Sequence, residues 1–359
     1  FASLMIRRGL RVEIDLNKIR ENSAWLVKAL GRRGVTITGV TKSVRGNPAV
    51  ARAMLQGGIT QLADSRISNI YRMRMAGLSC PITMLRSPLA NQIKEVIKHC
   101  EISYNSDLNI LNKLSNVASD LDHHHGVVIM LEMGDGRDGL MPEQLPEVIS
   151  VIKNLPSISL MGIATNSGCL SGEPPSINAM LHFADLILAS EKAWSGPLES
   201  NSNGGSSALT WAFSPRSRGR NVNLRLGESI FLGSDPLTLC PIEGLHQDAV
   251  SLFAEVMESS PTDLALASPK RRDGSCARLV LAIGNQDTDI KGLGSPSGIQ
   301  IIGSTSDHMV VHSQSQSYKA GSEIKFSLNY SAFSRAMNSC DVETFVFDNA
   351  SNRTLGALQ

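Results

Sequence analysis

The chain has 359 residues, of which 42% are apolar and 19% charged, and its formal net charge is +1. That composition suits a globular protein long enough for two domains. Charges of both signs are interspersed and no apolar run reaches membrane-span length, so neither a nucleic-acid partner nor a membrane partner is expected.

Short β-rich runs and amphipathic helical stretches alternate from residue 10 to about 235. Strands are expected at Arg11–Asp15, Val35–Thr41, Ile59–Asp64, Ile82–Arg86, Glu101–Asn105, Val127–Met133, Leu160–Thr165, Leu198–Asn203 and Asn221–Leu226. Helices are expected at Leu16–Leu30, Pro48–Gln56, Arg66–Met75, Asn91–His99, Leu108–Asp120, Glu143–Leu155 and Ile177–Lys192, with Asp15 capping the first and helix entries marked at Pro88 and Asp107. Such alternation means parallel strands joined by crossovers. Setting aside the leading run, eight strands remain, the count of a closed (β/α)₈ TIM-type barrel, and roughly 225 residues suits one. An open doubly wound sheet is the alternative, but no G-x-G-x-x-G follows the first strand.

From residue 236 to 359 the pattern becomes short strands separated by Gly, Ser, Pro and Asp: Ala249–Met257, Ala277–Ile283, Ile299–Gly303, Met309–His312, Glu323–Leu328 and Thr344–Phe347. This reads as a C-terminal, mostly antiparallel β domain, with residues 1–9 free to pair with it. Ser259–Ser275 reads as an exposed loop, and Arg216–Arg220 and Arg271-Arg272 as solvated loops. The cysteines, Cys80, Cys100, Cys169, Cys240, Cys276 and Cys340, form no C-x-x-C, which points to reduced thiols and a cytoplasmic location.

In a barrel, chemistry gathers at the carboxyl ends of the strands. The first barrel strand ends at Lys42, where burial would favour the neutral, nucleophilic amine. The bland alternative is a solvated lysine. Strand seven is followed by Asn203-Gly204-Gly205-Ser206-Ser207, opening a helix over Ser207–Phe213. Strand eight carries Arg225 and ends in Gly227-Glu228. Bare glycine backbone, serine hydroxyls and a helix start form an anion cradle, and loops seven and eight are where barrels commonly hold phosphate. A reactive lysine facing a phosphate cradle suggests pyridoxal 5′-phosphate. Arg225 would face the pyridine nitrogen and, unable to shed its proton, leave it unprotonated; an ion pair within the barrel is the alternative. Arg137, in Gly134-Asp135-Gly136-Arg137-Asp138-Gly139, reads either as a donor to the cofactor's phenolic oxygen or a substrate carboxylate, or as a loop salt bridge with Asp135 or Asp138. His123-His124-His125 reads as a solvated turn before a metal site.

At these residues the chain resembles the alanine racemase family of fold-type III pyridoxal-phosphate enzymes. The likeness runs over essentially the whole chain. It rests on Val12–Leu16 with Ile19–Asn22, Val40-Thr41-Lys42, Gly134–Gly139, Gly162–Thr165, Asn203–Ser207 and Leu224–Glu228; the order and spacing together are specific. Ala63–Arg66, Leu226–Gly233, Ile283–Asp289 and Gly303–His308 look most like ornithine racemase and related amino-acid racemases. The resemblance implies pyridoxal phosphate on Lys42, Lys42 as one of two catalytic bases, and Tyr330 at the phosphate. It also implies a head-to-tail homodimer whose β domain closes the partner's site.

The chain departs from alanine racemases in three places. Gly284–Asp289 has no tyrosine where the second base is expected, so Asp287 and His308 lead Asp289, Asp307 and Cys169 as substitutes. Asn166 replaces the usual histidine on the ring. The usual tyrosine near the phosphate after the lysine is absent, with Arg45 or Asn47 nearby instead. The expected function is a pyridoxal-phosphate-dependent racemase of ornithine or another basic or polar amino acid, with Asp135, Asp287 or Asp289 facing the cationic side chain. The alternative is a D-amino-acid lyase or dehydratase with a metal at Asp307, His308 and His312. A decarboxylase would want an acid where Arg225 stands.

Overall fold

The computed structural model describes residues 9–168, 170–217, 222–261, 276–315, 317–348 and 353–355. It holds two compact units, one of Ile19–Leu245 and one of the described residues up to Lys18 together with those from His246 onward. The first strand, β1 (Leu10–Asp15), leads into a helix over Leu16–Gly31. Asp15 caps that helix as expected, its Oδ1 accepting from Asn17 N at 3.0 Å.

Eight strands follow: β2 (Thr36–Val40), β3 (Gln61–Asp64), β4 (Ile82–Met84), β5 (Ile102–Asn105), β6 (His125–Leu131), β7 (Ile158–Thr165), β8 (Ser202–Gly205) and β9 (Asn223–Leu226). They close into a barrel in chain order. Every pairing is parallel, and β2 meets β9 with Thr38 beside Arg225 and Gly39 beside Leu226. Side chains alternate between two environments along each strand. Val127, Ile129, Leu131, Leu160 and Ile163 face outward onto Leu111, Leu114, Val148, Ile152 and Phe183 of the surrounding helices. Tyr104, Val128, Met130 and Ala164 form a separate inner cluster, joined by Leu85, Ile102 and Met161.

One strand and one helix entry depart from expectation. The seventh barrel strand is not Leu198–Asn203 but β8, four residues later. Asn201 occupies the expected strand as a linker: its Oδ1 accepts from Ile163 N at 2.9 Å and its Nδ2 donates to Leu198 O at 2.7 Å. Pro88 is not a helix start, since its helix runs Ile93–His99, whereas Asp107 does cap Leu108–Asp120, accepting from Ile110 N at 3.0 Å.

The second unit is built from β1 with β10 (Val250–Pro261), β11 (Ala277–Leu281), β12 (Leu293–Gly294), β13 (Ile299–Ser304), β14 (Met309–Ser313), β15 (Glu323–Leu328), β16 (Glu343–Asp348) and β17 (Arg353–Leu355). The sheet order is β13-β14-β11-β10-β1-β16-β17, with β15 also on β10 and β12 on β15. All pairs are antiparallel except β1 with β16. The strand at Leu10–Asp15 therefore belongs to this sheet and not to a unit spanning 10–235, and the unit boundary falls at Leu245. Ser259–Pro261 extends β10 instead of opening a loop. The rest of that stretch and Arg271-Arg272 lie outside the described residues, as do Arg218–Arg220 and Cys169.

Candidate active site

Lys42 opens a single 3-10 turn, Lys42–Val44, directly after β2. The preceding residue anchors it. Thr41 is buried, and its hydroxyl donates to Asp64 Oδ2 at 2.8 Å across the β2–β3 seam. Asp64 in turn accepts from Arg66 N at 2.9 Å and Asn69 Nδ2 at 3.0 Å. Burial pushes the Asp64 carboxyl up, and these donors, Thr41 first, hold it down. Lys42 itself is exposed, so the expected burial of its amine is absent; the 3-10 turn carries the side chain clear of the strand at the barrel rim.

Arg225 lies inside the barrel and is 8% exposed. Its guanidinium donates to Thr165 O, to Asn166 Oδ1 at 2.9 Å and to Gly204 O at 3.3 Å. It also lies 5.2 Å from the centroid of the Tyr104 ring. Arg225 forms no ion pair with a described residue: its partners are neutral oxygens from the ends of β7 and β8. Asn166 continues the chain, its Nδ2 donating to Asp138 Oδ1 at 3.3 Å, and Arg137 Nε donates to that same oxygen at 2.9 Å. Arg137 thus takes the salt-bridge option, with Asp138 as partner. Closure of the barrel brings Arg225, Asn166, Asp138 and Arg137 into one hydrogen-bonded line.

The residues expected to cradle an anion lie at the ends of β8 and β9. Gly204 has φ +140°, and a Cβ there would stand 2.9 Å from Ala208 Cβ. At Gly227 a Cβ would stand 2.9 Å from Val40 O. Asn203 is buried beside them, and Gly205 pairs with Arg225 in the ladder. Ser206 Oγ and Ser229 Oγ are 3.0 Å apart, and Ser207 Oγ donates to Ser167 O. Glycines thus leave backbone bare where side chains would fill the space, and two serines flank it. Glu228 starts the next short helix, Glu228–Leu232. Burial pushes its carboxyl up to about 7, against a lowering by Lys42 and with a further rise from Asp235.

The remaining expected residues are in the second unit. Asp287 is buried and holds a turn, its Oδ2 accepting from Gly284 N at 2.8 Å; burial raises its pKa. That turn is laced to Thr305 O and Ser306 O by Asn285 N at 2.9 Å and Gln286 N at 3.0 Å. The same lacing holds the neighbouring loop, where His308 is half-buried with Nδ1 2.9 Å from Asp307 Oδ1. That bond holds Asp307 below the usual carboxylate range. Asp289 accepts from Ser331 Oγ at 2.7 Å, and Tyr330 begins the helix Tyr330–Ala336. Asp307, His308 and His312 do not gather as a metal-binding group among the described residues. His125 is no part of a solvated turn: it opens β6 fully buried, with Nε2 2.9 Å from Ser103 Oγ, and burial lowers its pKa to about 4.

Tyr104 escaped the sequence reading, and Thr41 and Asp64 entered it only as parts of motifs, without the bond that joins them. Tyr104 is the one aromatic of the run Ile102–Asn105, flanked by Ser103 and Asn105, a signal that could have marked it.

Residues 14–235 match the family model described as alanine racemase, N-terminal domain. A lysine racemase of Thermotoga maritima is 30% identical over 347 residues, covering 93% of this chain and 97% of that protein. An ornithine racemase of Acetoanaerobium sticklandii is 30% identical over 348 residues, covering 93% and 98%. In fold, an alanine racemase of Clostridium difficile 630 matches with a TM-score of 0.75 at 18% identity over 99% of both chains. A D-threonine aldolase of Filomicrobium marinum matches with a TM-score of 0.76 at 12% identity over 97% and 93%. The two racemase relatives span nearly the whole chain, and the chain belongs to the alanine racemase family of amino-acid racemases.

Proposed function

We propose that this racemase uses pyridoxal 5′-phosphate and acts on lysine, ornithine or a similar basic amino acid. The observation that carries the cofactor reading is Arg225, a buried guanidinium held by three neutral acceptors at the strand ends beside a glycine-and-serine cradle. A permanent cation in that place fits a neutral pyridine nitrogen, and the bare backbone at Gly204, Gly205 and Gly227 with Ser206 and Ser207 fits a phosphate. When bound, the cofactor supplies an aldehyde for amines and a conjugated ring that eases loss of the α-proton.

Lys42 would hold the aldehyde and serve as base on one face of the α-carbon. Arg225 cannot release its proton to the ring nitrogen, which would stay unprotonated; that limits charge delocalisation and favours return of the α-proton over bond cleavage elsewhere. Arg137, fixed against Asp138, would sit near the ring oxygen or the substrate carboxylate, and Asn166 couples it to Arg225. Tyr330 would serve the phosphate. Inversion requires an acid/base group on the opposite face. Of the two leading candidates, Asp287 is buried and engaged in its turn, whereas His308 is only half-buried and oriented by Asp307, so His308 is the proposed second base. A head-to-tail homodimer would supply it from the partner.

The basic-substrate reading rests on the two relatives named lysine and ornithine racemase. No helix among the described residues is long and apolar enough to cross a membrane. The five described cysteines are free thiols, which supports a cytoplasmic location as part of this proposal.

The test is chiral chromatography after incubating the protein and pyridoxal phosphate separately with L-lysine, L-ornithine, L-serine and L-alanine. D-lysine or D-ornithine as the fastest product, with His308→Ala losing inversion, supports the reading. D-alanine as the fastest product overturns the substrate assignment. Carbonyl products from D-amino acids without inversion would establish the lyase alternative.

A further inference from the structure

Two charged side chains begin the turns at neighbouring ends of the seam that closes the barrel. β2 and β9 pair there with Gly39 beside Leu226. Lys42 starts the turn after β2 and Glu228 the turn after β9. Gly227 lies close enough to Val40 that a Cβ would stand 2.9 Å from its carbonyl oxygen. The Glu228 carboxyl is largely shielded and accepts no side-chain hydrogen bond from any described residue. The charged groups acting on it are Lys42 and Asp235. Asp235 is itself held by Leu237 N at 2.9 Å and Thr238 N at 3.0 Å.

We infer that Glu228 is the proton partner of Lys42, taking up a proton when the amine is uncharged and releasing it when the amine is charged. This rests on the reading of Lys42 as the reactive amine. A shielded carboxylate without donors is poorly solvated, and its charge is supported by the nearby ammonium. Loss of the Lys42 charge removes that support while Asp235 continues to repel, so Glu228 binds a proton. The coupling is reciprocal: ionised Glu228 raises the proton affinity of Lys42. Glu228 also adjoins Ser229, whose hydroxyl meets Ser206 in the cradle. A charged carboxylate there would repel a phosphate, whereas the neutral acid would not. Glu228 therefore acts through Lys42 as a positioning residue rather than as a phosphate ligand, the role its place in the motif first suggested.

The experiment is trace acetylation of the full chain with acetic anhydride from about pH 6 to about pH 10, reading each lysine by peptide mass. The proteins are the parent, Glu228→Gln and Glu228→Asp. Near pH 8, Lys42 should react roughly 3- to 10-fold faster in E228Q than in the parent, the effect of removing a nearby opposite charge. E228D should follow the parent, and Lys98 and Lys153 should react alike in all three. A Lys42 profile unchanged in E228Q overturns the inference, as does E228D behaving like E228Q. If E228Q raises reactivity at every lysine by loosening the fold, the E228D profile decides. The readout uses neither cofactor nor substrate, so failure of the racemase proposal would be seen separately.

Discussion

Thr41→Val keeps the shape of the side chain and removes one hydroxyl. In the parent that hydroxyl donates to Asp64 Oδ2 at 2.8 Å, with Ala63 O at 3.3 Å. Asp64 is fully buried, and Arg66 N and Asn69 Nδ2 both reach its other oxygen, Oδ1. Removing the side-chain donor from the second oxygen of a buried carboxylate costs about 1.5–3 kcal/mol, and Thr41→Ser, which retains the hydroxyl, should cost under about 1 kcal/mol. The pH dependence has a definite sign. Burial raises the Asp64 pKa from its ordinary 3.8, and Thr41 opposes that rise. The ionised carboxyl is therefore the form the fold tolerates less well, and Thr41 supports that form in particular. The deficit of T41V should be largest near neutral pH and shrink in acid. Urea denaturation of parent, T41V and T41S at both pH values measures it. T41V within about 0.5 kcal/mol of the parent at neutral pH, or a deficit that grows in acid, would refute the proposed anchoring of the Lys42 turn.

His125→Gln should remove a pH dependence of stability. The folded-state pKa of about 4 lies below the unfolded 6.5, so the unfolded chain takes up the proton first and the parent loses up to about 3 kcal/mol as pH falls between those values. Urea midpoints of the variant should be flatter across that window, and an equal slope in both proteins would count against a buried neutral imidazole. Gly227→Ala should cost about 1–3 kcal/mol, because its Cβ would meet Val40 O at 2.9 Å, and should weaken pyridoxal-phosphate uptake followed by visible absorbance. Gly303→Ala, where nothing lies within 4 Å of a Cβ, should change neither.

The barrel was legible because β-branched and apolar runs of four to seven residues alternate with capped amphipathic helices, a pattern with few other solutions. The place of Lys42 just after β2 was legible for the same reason, as the first charge after such a run, whereas its exposure was not. β8 was misplaced because Ser202-Asn203-Gly204-Gly205 has weak strand propensity, while Leu198–Asn201 looks stronger and is tied down by a side chain instead of a ladder. The line from Arg225 through Asn166 and Asp138 to Arg137 was hidden, since three strand ends meet only on closure and none of these residues is near another in sequence except Arg137 and Asp138. The partial burial of Glu228, the full burial of His125 and the structural use of Asp287 likewise depend on packing that spacing does not reveal.

The measurement that bears most directly on the central claim is borohydride reduction of the pyridoxal-phosphate-treated chain, followed by peptide mapping. The account predicts one stable adduct, on Lys42, and a Lys42→Ala variant with neither adduct nor racemase activity. A principal adduct on another lysine, or full racemase activity in Lys42→Ala, would contradict it.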